Sequence, residues 1–264
     1  MMTPEPISMQ RTRARDARSY AAYYGWEVLP ALRDFEVVIL QPHAFDETSV
    51  RALLEANVLP LAYLSMSQQL ADAPHASWVR EDENGVVIRD PDWDSSLVDP
   101  AHPGWREQVL SIARGARSRG FKGLMLDTLD APDAADQVAL VRLITTLRTH
   151  WHDAVIVMNR GFALLERVVT LVDGVIFESL STTWKLAPSG EVTYAAVMDA
   201  EWYENERMAR SLAQYIRPQG LACWALDYAA RDAENAEQLR LEAASKAEEL
   251  GYVSFVTDRA LLEL

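Results

Sequence analysis

Two apolar runs of the 264-residue chain each end on a carboxylate. GLMLDTLD, residues 123–130, delivers Asp127, and GVIFESL, residues 174–180, delivers Glu178. Runs of this kind read as strands buried on both faces, and in a barrel of parallel strands the chemistry gathers at the C-terminal strand ends. An Asp and a Glu would then face one cleft. Such a pair is the equipment for glycoside hydrolysis, one carboxyl protonating the departing oxygen while the other acts as base or nucleophile. Burial against an apolar wall raises a carboxyl pKa, whereas hydrogen bonds or a neighbouring cation keep its partner ionised. Arg160, in the segment NRGF, is placed to supply that cation. The longer Glu reaches a leaving oxygen more easily, so Asp127 is assigned as nucleophile and Glu178 as general acid/base, with the exchanged roles left open.

Positioning these groups requires a regular frame. Eight strand-like apolar runs occupy 20–24, 37–41, 59–65, 123–127, 154–159, 174–178, 221–227 and 252–256. Segments with helical spacing lie between them at 47–57, 105–119, 133–150, 162–171, 201–216 and 233–250, the first and last reading as short. Gly120 and Gly251 each close a helical segment before an apolar run. Alternation of this kind predicts a parallel sheet with covering helices, and the length suits one (β/α)8 barrel of about 250 residues. The expected organisation is a disordered leader over 1–18 and one barrel domain over 19–264.

The residues that follow the runs are strongly polar: Tyr23, Tyr24, Gln41, Ser65, Asp127, Asp130, Asn159, Arg160, Glu178, Ser179, Asp227, Tyr228 and Asp258. Asp227, ending LACWALD, is the third candidate, as a ligand for a sugar hydroxyl or amine or as the partner of Asp127. Asp130 also fits the cap of a turn or helix before Pro132. Two long connections, 66–103 and 179–200, follow strands and would wall a groove. They carry Trp78 and Trp93, and Trp184, Lys185 and Tyr194, respectively. Their aromatic rings either stack on sugar faces or pin the loops to the barrel. The expected substrate contacts are therefore Tyr24, Ser65, Trp93, Asp130, Asn159, Arg160, Trp184, Asp227 and Tyr228.

Composition narrows the partners. A net charge of −14 argues against a nucleic-acid partner, which calls for clustered Lys and Arg. A neutral or cationic polysaccharide or oligosaccharide fits that charge better. Cys223, the single cysteine, sits in an apolar run and reads as core. His150 and His152, followed by Asp153, could suggest a metal pair but fall at a helix end opposite the expected mouth, and His43, His75 and His102 show no metal-ligand spacing, so no metal is expected. The phosphate-cradling glycine motifs are missing too, so no cofactor is expected. No apolar stretch reaches the length of a membrane span. The first residues lack the apolar core of an export signal, which gives a cytoplasmic location by default. Oligomeric state is not legible.

At these residues the chain resembles the endo-α-1,4-polygalactosaminidase family of glycoside hydrolases, family 114, and its bacterial relatives. The resemblance runs in order through YYG (23–25), AYLS (62–65), VDPAHPGWRE (98–107) and GFKGLMLDTLD (120–130). It continues through NRGF (159–162), VDGVIFESL (172–180), ALDYA (225–229) and VTDRAL (256–261). It implies a (β/α)8 barrel that cleaves α-1,4 linkages in a galactosamine-containing polysaccharide, with acids on the fourth and sixth strands, here Asp127 and Glu178. Family members are usually exported. Two positions depart from the family pattern. Met66, Ser67 and Gln68 stand where a Gly-Glu pair usually follows AYLS, and Gln41 stands where an Asp is frequent. These departures define the alternative, a catalytically impaired carbohydrate-binding protein on a glycosidase barrel. A barrel enzyme of unrelated chemistry is the third reading, because the fold alone does not specify a reaction.

Overall fold

The computed structural model describes residues 8–131 and 133–264. Eight parallel strands form one sheet paired in sequence order: β1 (Tyr20–Tyr23), β2 (Val37–Leu40), β3 (Leu59–Ser65), β4 (Gly123–Asp127), β5 (Val155–Asn159), β6 (Gly174–Glu178), β7 (Ala222–Tyr228) and β8 (Val253–Thr257). Each lies within one residue of its sequence-derived bounds. The strands are legible because both faces are covered: all of β2 and all of β5 are buried. Gly123 opens β4 where a Cβ would come within 2.0 Å of the Val155 carbonyl oxygen, so the absent side chain lets β4 and β5 approach at the narrow end.

The sheet is a barrel closed by side chains at its seam. The Tyr20 ring stacks on Trp224 at 4.6 Å and meets Phe255 at 5.7 Å, while its hydroxyl donates to the Ala225 carbonyl at 2.8 Å. The backbone adds one bond, from Tyr24 N to the Leu261 carbonyl. Aromatic burial at β1, β7 and β8 thus joins the first and last strands.

Around the sheet run α2 (Glu47–Glu55), α3 (Pro103–Ser118), α4 (Ala134–His150), α5 (Leu165–Val168), α6 (Asp199–Ile216) and α7 (Ala236–Leu250), preceded by α1 (Met9–Asp16). Asp46 and Asp133 cap α2 and α4 by accepting from amides of the first turn. Gly251 ends α7 at φ 73°, a left-handed turn that leads into β8. The expected shortness of the last helix is corrected, since α7 runs 15 residues, and α5 is the short one at four.

Residues 1–7 of the expected leader lie outside the described residues, but 9–16 are helical, which corrects the expectation of disorder there. The cause is electrostatic. Asp173, just before β6, is fully buried and receives three guanidinium groups, from Arg11 and Arg15 at 2.9 Å and from Arg148 at 3.0 Å. Ile156 N donates to the same carboxylate at 3.1 Å. α1 therefore closes the N-terminal end of the barrel, opposite the chemistry. Desolvation lowers the Arg148 pKa to about 10, with Asp173 pulling it back up. Removing the carboxylate leaves buried cations uncompensated. Asp173→Ala should cost about 3–5 kcal/mol, read as a fall in the urea midpoint; a midpoint within error of the wild type would refute the assignment.

The two long connections fold into sheets of their own. After β3, Gln68–Leu70, Ser95–Leu97 and Arg89–Asp90 make a three-stranded antiparallel sheet. After β6, Thr182–Leu186 pairs with Val192–Ala196 as a hairpin, with Trp184 opposite Tyr194. Both stand at the C-terminal mouth.

Candidate active site

Three adjacent strands end on the residues that meet in the mouth: β4 on Asp127, β5 on Asn159 and β6 on Glu178. The Asn159 amide nitrogen donates to Asp127 Oδ1 at 2.8 Å and to Glu178 Oε2 at 2.6 Å. Both partners are acceptors, which fixes the end of the amide that faces them. The facing carboxylate oxygens cannot lie further apart than these two bond lengths together. Asn159 is 5% exposed, so this bridge is sheltered from water.

In each case the next residue is left-handed without being glycine: Thr128 at φ 58°, Arg160 at φ 52° and Ser179 at φ 53°. This conformation is costly for a β-branched residue such as threonine. It is held by a relay. Thr128 Oγ1 accepts from Met66 N at 3.0 Å and Ser67 N at 2.9 Å. Its own proton goes to Ser65 Oγ at 3.0 Å, because the Ser65 proton is given to the Gln68 carbonyl at 2.8 Å. Ser65 therefore lines the cleft while bracing the loop.

Tyrosines complete the polar wall. Tyr228 Oη donates to Glu178 Oε1 at 2.5 Å, and the Tyr63 hydroxyl bonds Asp127. Tyr24 packs edge-on against Tyr63 with ring centroids 5.0 Å apart. Tyr63 was not singled out in the sequence. Its signal is the two-residue alternation of β3, where Leu61, Tyr63 and Ser65 share a face.

Burial raises the Glu178 pKa, and the negative charge of Asp127 raises it further. Asp127 is also raised by burial, against which Asn159, the Thr128 amide and Tyr63 all donate to its ionised form. Tyr228, Asn159 and the charge of Arg160 in turn favour ionised Glu178, so both acids are raised by burial and both are held by donors to their ionised forms.

The cleft, about 1140 Å³, is lined by Tyr24, Tyr63, Ser65, Trp93, Asp127, Asp130, Asn159, Arg160, Glu178 and Tyr228, and by Gln41 and Gln68. Gln68 does not stand alone: its Nε2 donates to Asp90 Oδ2 at 3.2 Å and its Oε1 accepts from Ser95 Oγ at 2.7 Å. Arg259 stacks over Trp93 at 5.1 Å and Trp184 at 4.4 Å, and it donates to the Asp92 carbonyl. The loops after β3, β6 and β8 are thus clasped at one point, so both indoles pin the loops, and Trp93 also walls the cleft. Trp78 only pins, through Gln69 at 2.8 Å. Arg259 was missed as well, since its role appears only when three distant loops meet.

Three expectations are corrected. Asp227 does not line the cleft: it is fully buried behind β7, and its Oδ1 accepts from Ser181 N and Thr182 N at 2.7 Å each. Neighbouring strand residues face opposite ways, and Tyr228, not Asp227, points inward. Arg160 pairs with Asp130 at 2.8 Å and donates to the backbone carbonyl of Glu178 at 3.1 Å, and its charge favours ionised Glu178, the acid assigned as proton donor, and not only the nucleophile. Asp130 accepts from Arg160 and from Gly161 N rather than capping a helix; Asp133 is the cap of α4, and Pro132 lies outside the described residues.

An acid pair bridged at the C-terminal mouth of an eight-stranded parallel barrel is the equipment of a glycosidase. The match to the model of glycoside-hydrolase family GH114 spans residues 9–263, and the chain belongs to that family. Among solved structures it is similar to the glycoside hydrolase domain of PelA from Pseudomonas aeruginosa, at 27% identity and a TM-score of 0.77, covering 94% of this chain and 97% of that one. Ega3 of Aspergillus fumigatus, solved in complex with galactosamine, shares the fold at 12% identity and a TM-score of 0.71, over 98% and 96% of the two chains. The α-galactosidase TtGalA from Thermus thermophilus, in complex with stachyose, shares it at 16% identity and a TM-score of 0.59, over 97% of this chain and 63% of that one. No curated protein matches the chain. The protein is a glycoside hydrolase with a carbohydrate substrate, and among the described residues no helix is long and apolar enough to cross a membrane.

The hydrogen-bond pattern predicts two distinguishable pH profiles. The Tyr228 hydroxyl favours ionised Glu178, so Tyr228→Phe should move the basic limb of kcat/KM to higher pH and leave the acidic limb nearly in place. The Asn159 amide favours both ionised acids, so Asn159→Ala should carry both limbs upward. Initial rates across pH decide this, and a downward shift in either variant contradicts the network.

Burial raises the Asp227 pKa from 3.8 to about 6, against donation from Ser181 and Thr182, and its Oδ2 is buried without a partner. A carboxyl raised in the fold stabilises it while protonated. Its contribution is complete below 3.8 and is lost as pH rises through about 6, a change on the order of 3 kcal/mol. Asp227→Asn keeps the acceptor and should flatten the stability curve over that window in urea unfolding. An unchanged slope counts against the buried carboxyl.

Proposed function

We propose that the enzyme hydrolyses α-1,4 linkages in a galactosamine-containing polysaccharide with retention of anomeric configuration. The observation that carries the mechanism is the single Asn159 nitrogen bonded to both acids at 2.8 and 2.6 Å. These lengths hold the facing oxygens close together, which favours the roughly 5–5.5 Å carboxyl separation of retaining enzymes over the roughly 6.5–9.5 Å that admits a water in inverting ones.

An Asp127 oxygen attacks the anomeric carbon as the bond to the leaving oxygen breaks, and the Glu178 proton passes to that oxygen. Water then attacks the glycosyl–Asp127 ester, Glu178 takes its proton, and the carboxylate is released. Tyr63 and Asn159 orient the nucleophile, while Tyr228 and Asn159 orient the acid. An amino sugar is supported by the galactosamine named with Ega3 and by the carboxylates Asp90, Asp92, Asp94 and Asp130, which also border the cleft. A protonated amine is favoured beside such groups.

Glu178→Gln should lower turnover by about 10²–10⁴-fold, and Asp127→Asn by at least as much, with oligosaccharide affinity retained in both. Reducing-end release from galactosamine polymers and titration calorimetry measure the two quantities. The first product seen by proton NMR should be the α-anomer; a β-anomer would establish inversion, and binding without release in the wild type would establish a carbohydrate-binding protein.

A further inference from the structure

The cleft continues past Glu178. On the side away from Asp127 lies a second depression of about 600 Å³, lined by Trp93, Trp184, Ser179, Thr183 and Lys185. Glu178 and Arg160 border both halves, whereas Asp127 borders only the first. The acid protonates the oxygen that joins two sugars. The unit attacked by Asp127 therefore lies in the first half and the departing unit in the second.

Charge differs between the halves. Asp90, Asp94, Asp127 and Asp130 border only the first half. Among the described residues, the one charged group confined to the second is Lys185, and Asp92 borders both. Arg160, which borders both halves, is matched by Asp130 at 2.8 Å, which leaves Asp90, Asp94 and Asp127 to set the sign of the first half. Arg259 borders the first half but lies over the two indoles, and Arg119 enters it from the C-terminal end of α3. An ammonium is thus welcome in the first half and meets Lys185 in the second, where Trp93 and Trp184 offer apolar surface to a ring face or a methyl group.

We infer that the second depression is a leaving-group subsite for a neutral N-acetylated hexosamine, with Lys185 as a specificity-determining residue, so that cleavage favours junctions between a free amino sugar and an acetylated one. This rests on the proposed reaction.

The test uses partially acetylated α-1,4-galactosamine oligosaccharides of known sequence, with product ends read by mass spectrometry. Wild-type products should carry free amino sugars at new reducing ends and an excess of acetylated units at new non-reducing ends. Lys185→Glu should reduce that excess about two- to fivefold, the scale of a solvent-screened charge contact, without changing the reducing-end unit. New non-reducing ends that follow the average composition of the substrate, or an excess that Lys185→Glu leaves intact, would overturn the subsite while the reaction stands. Absence of cleavage on every oligosaccharide overturns the reaction and the subsite with it.

Discussion

One side-chain amide sets the terms for this site. Two carboxyl groups on strands separated by a third repel each other when ionised, and burial penalises the charge on each. Asn159, on the strand between them, offers one proton to each acid and thereby fixes their spacing. Tyr63, Tyr228 and the Thr128 amide supply the remaining donors. The arrangement requires β4, β5 and β6 in a fixed register: Leu126 pairs with Met158, one residue before Asp127 and Asn159, while Asn159 pairs with Ile176, two residues before Glu178.

The two ends of the barrel solve opposite electrostatic problems. At the N-terminal end one buried carboxylate, Asp173, is surrounded by three arginines and holds α1 against the barrel. At the C-terminal end two acids share donors that are almost all neutral, so their pKa values remain adjustable. Strong pairing below gives fixity, and weaker pairing above leaves a proton free to move. This division matches the general separation of stability and catalysis between the faces of such barrels.

How much of this could be read from sequence follows from the range of the interactions. The strands were legible because burial on both faces writes continuous apolar runs, and Asp127 and Glu178 were legible because each ends such a run. Asp227 looked equivalent, yet the end of a run gives height in the barrel and not the face; one residue further on, Tyr228 holds the inward position. Tyr63 was hidden by the same parity. α1 carries no apolar stripe, since its docking depends on Arg11 and Arg15 meeting a carboxylate more than 150 residues away. The small sheets after β3 and β6 escaped because their pairing depends on loop segments too short to show a period.

The left-handed residues that follow Asp127, Asn159 and Glu178 turn the chain sharply off the sheet immediately beyond each group. Each strand thereby surrenders its loop at a fixed point. The stretch after Asn159 is a short passage into Phe162–Leu164, while that after Glu178 carries a whole hairpin, yet both depart through the same backbone angle. Reaction centre and rim are modular with respect to each other. Loops can be lengthened, shortened or exchanged to suit a new polymer while the distance between the acids stays as the strands set it.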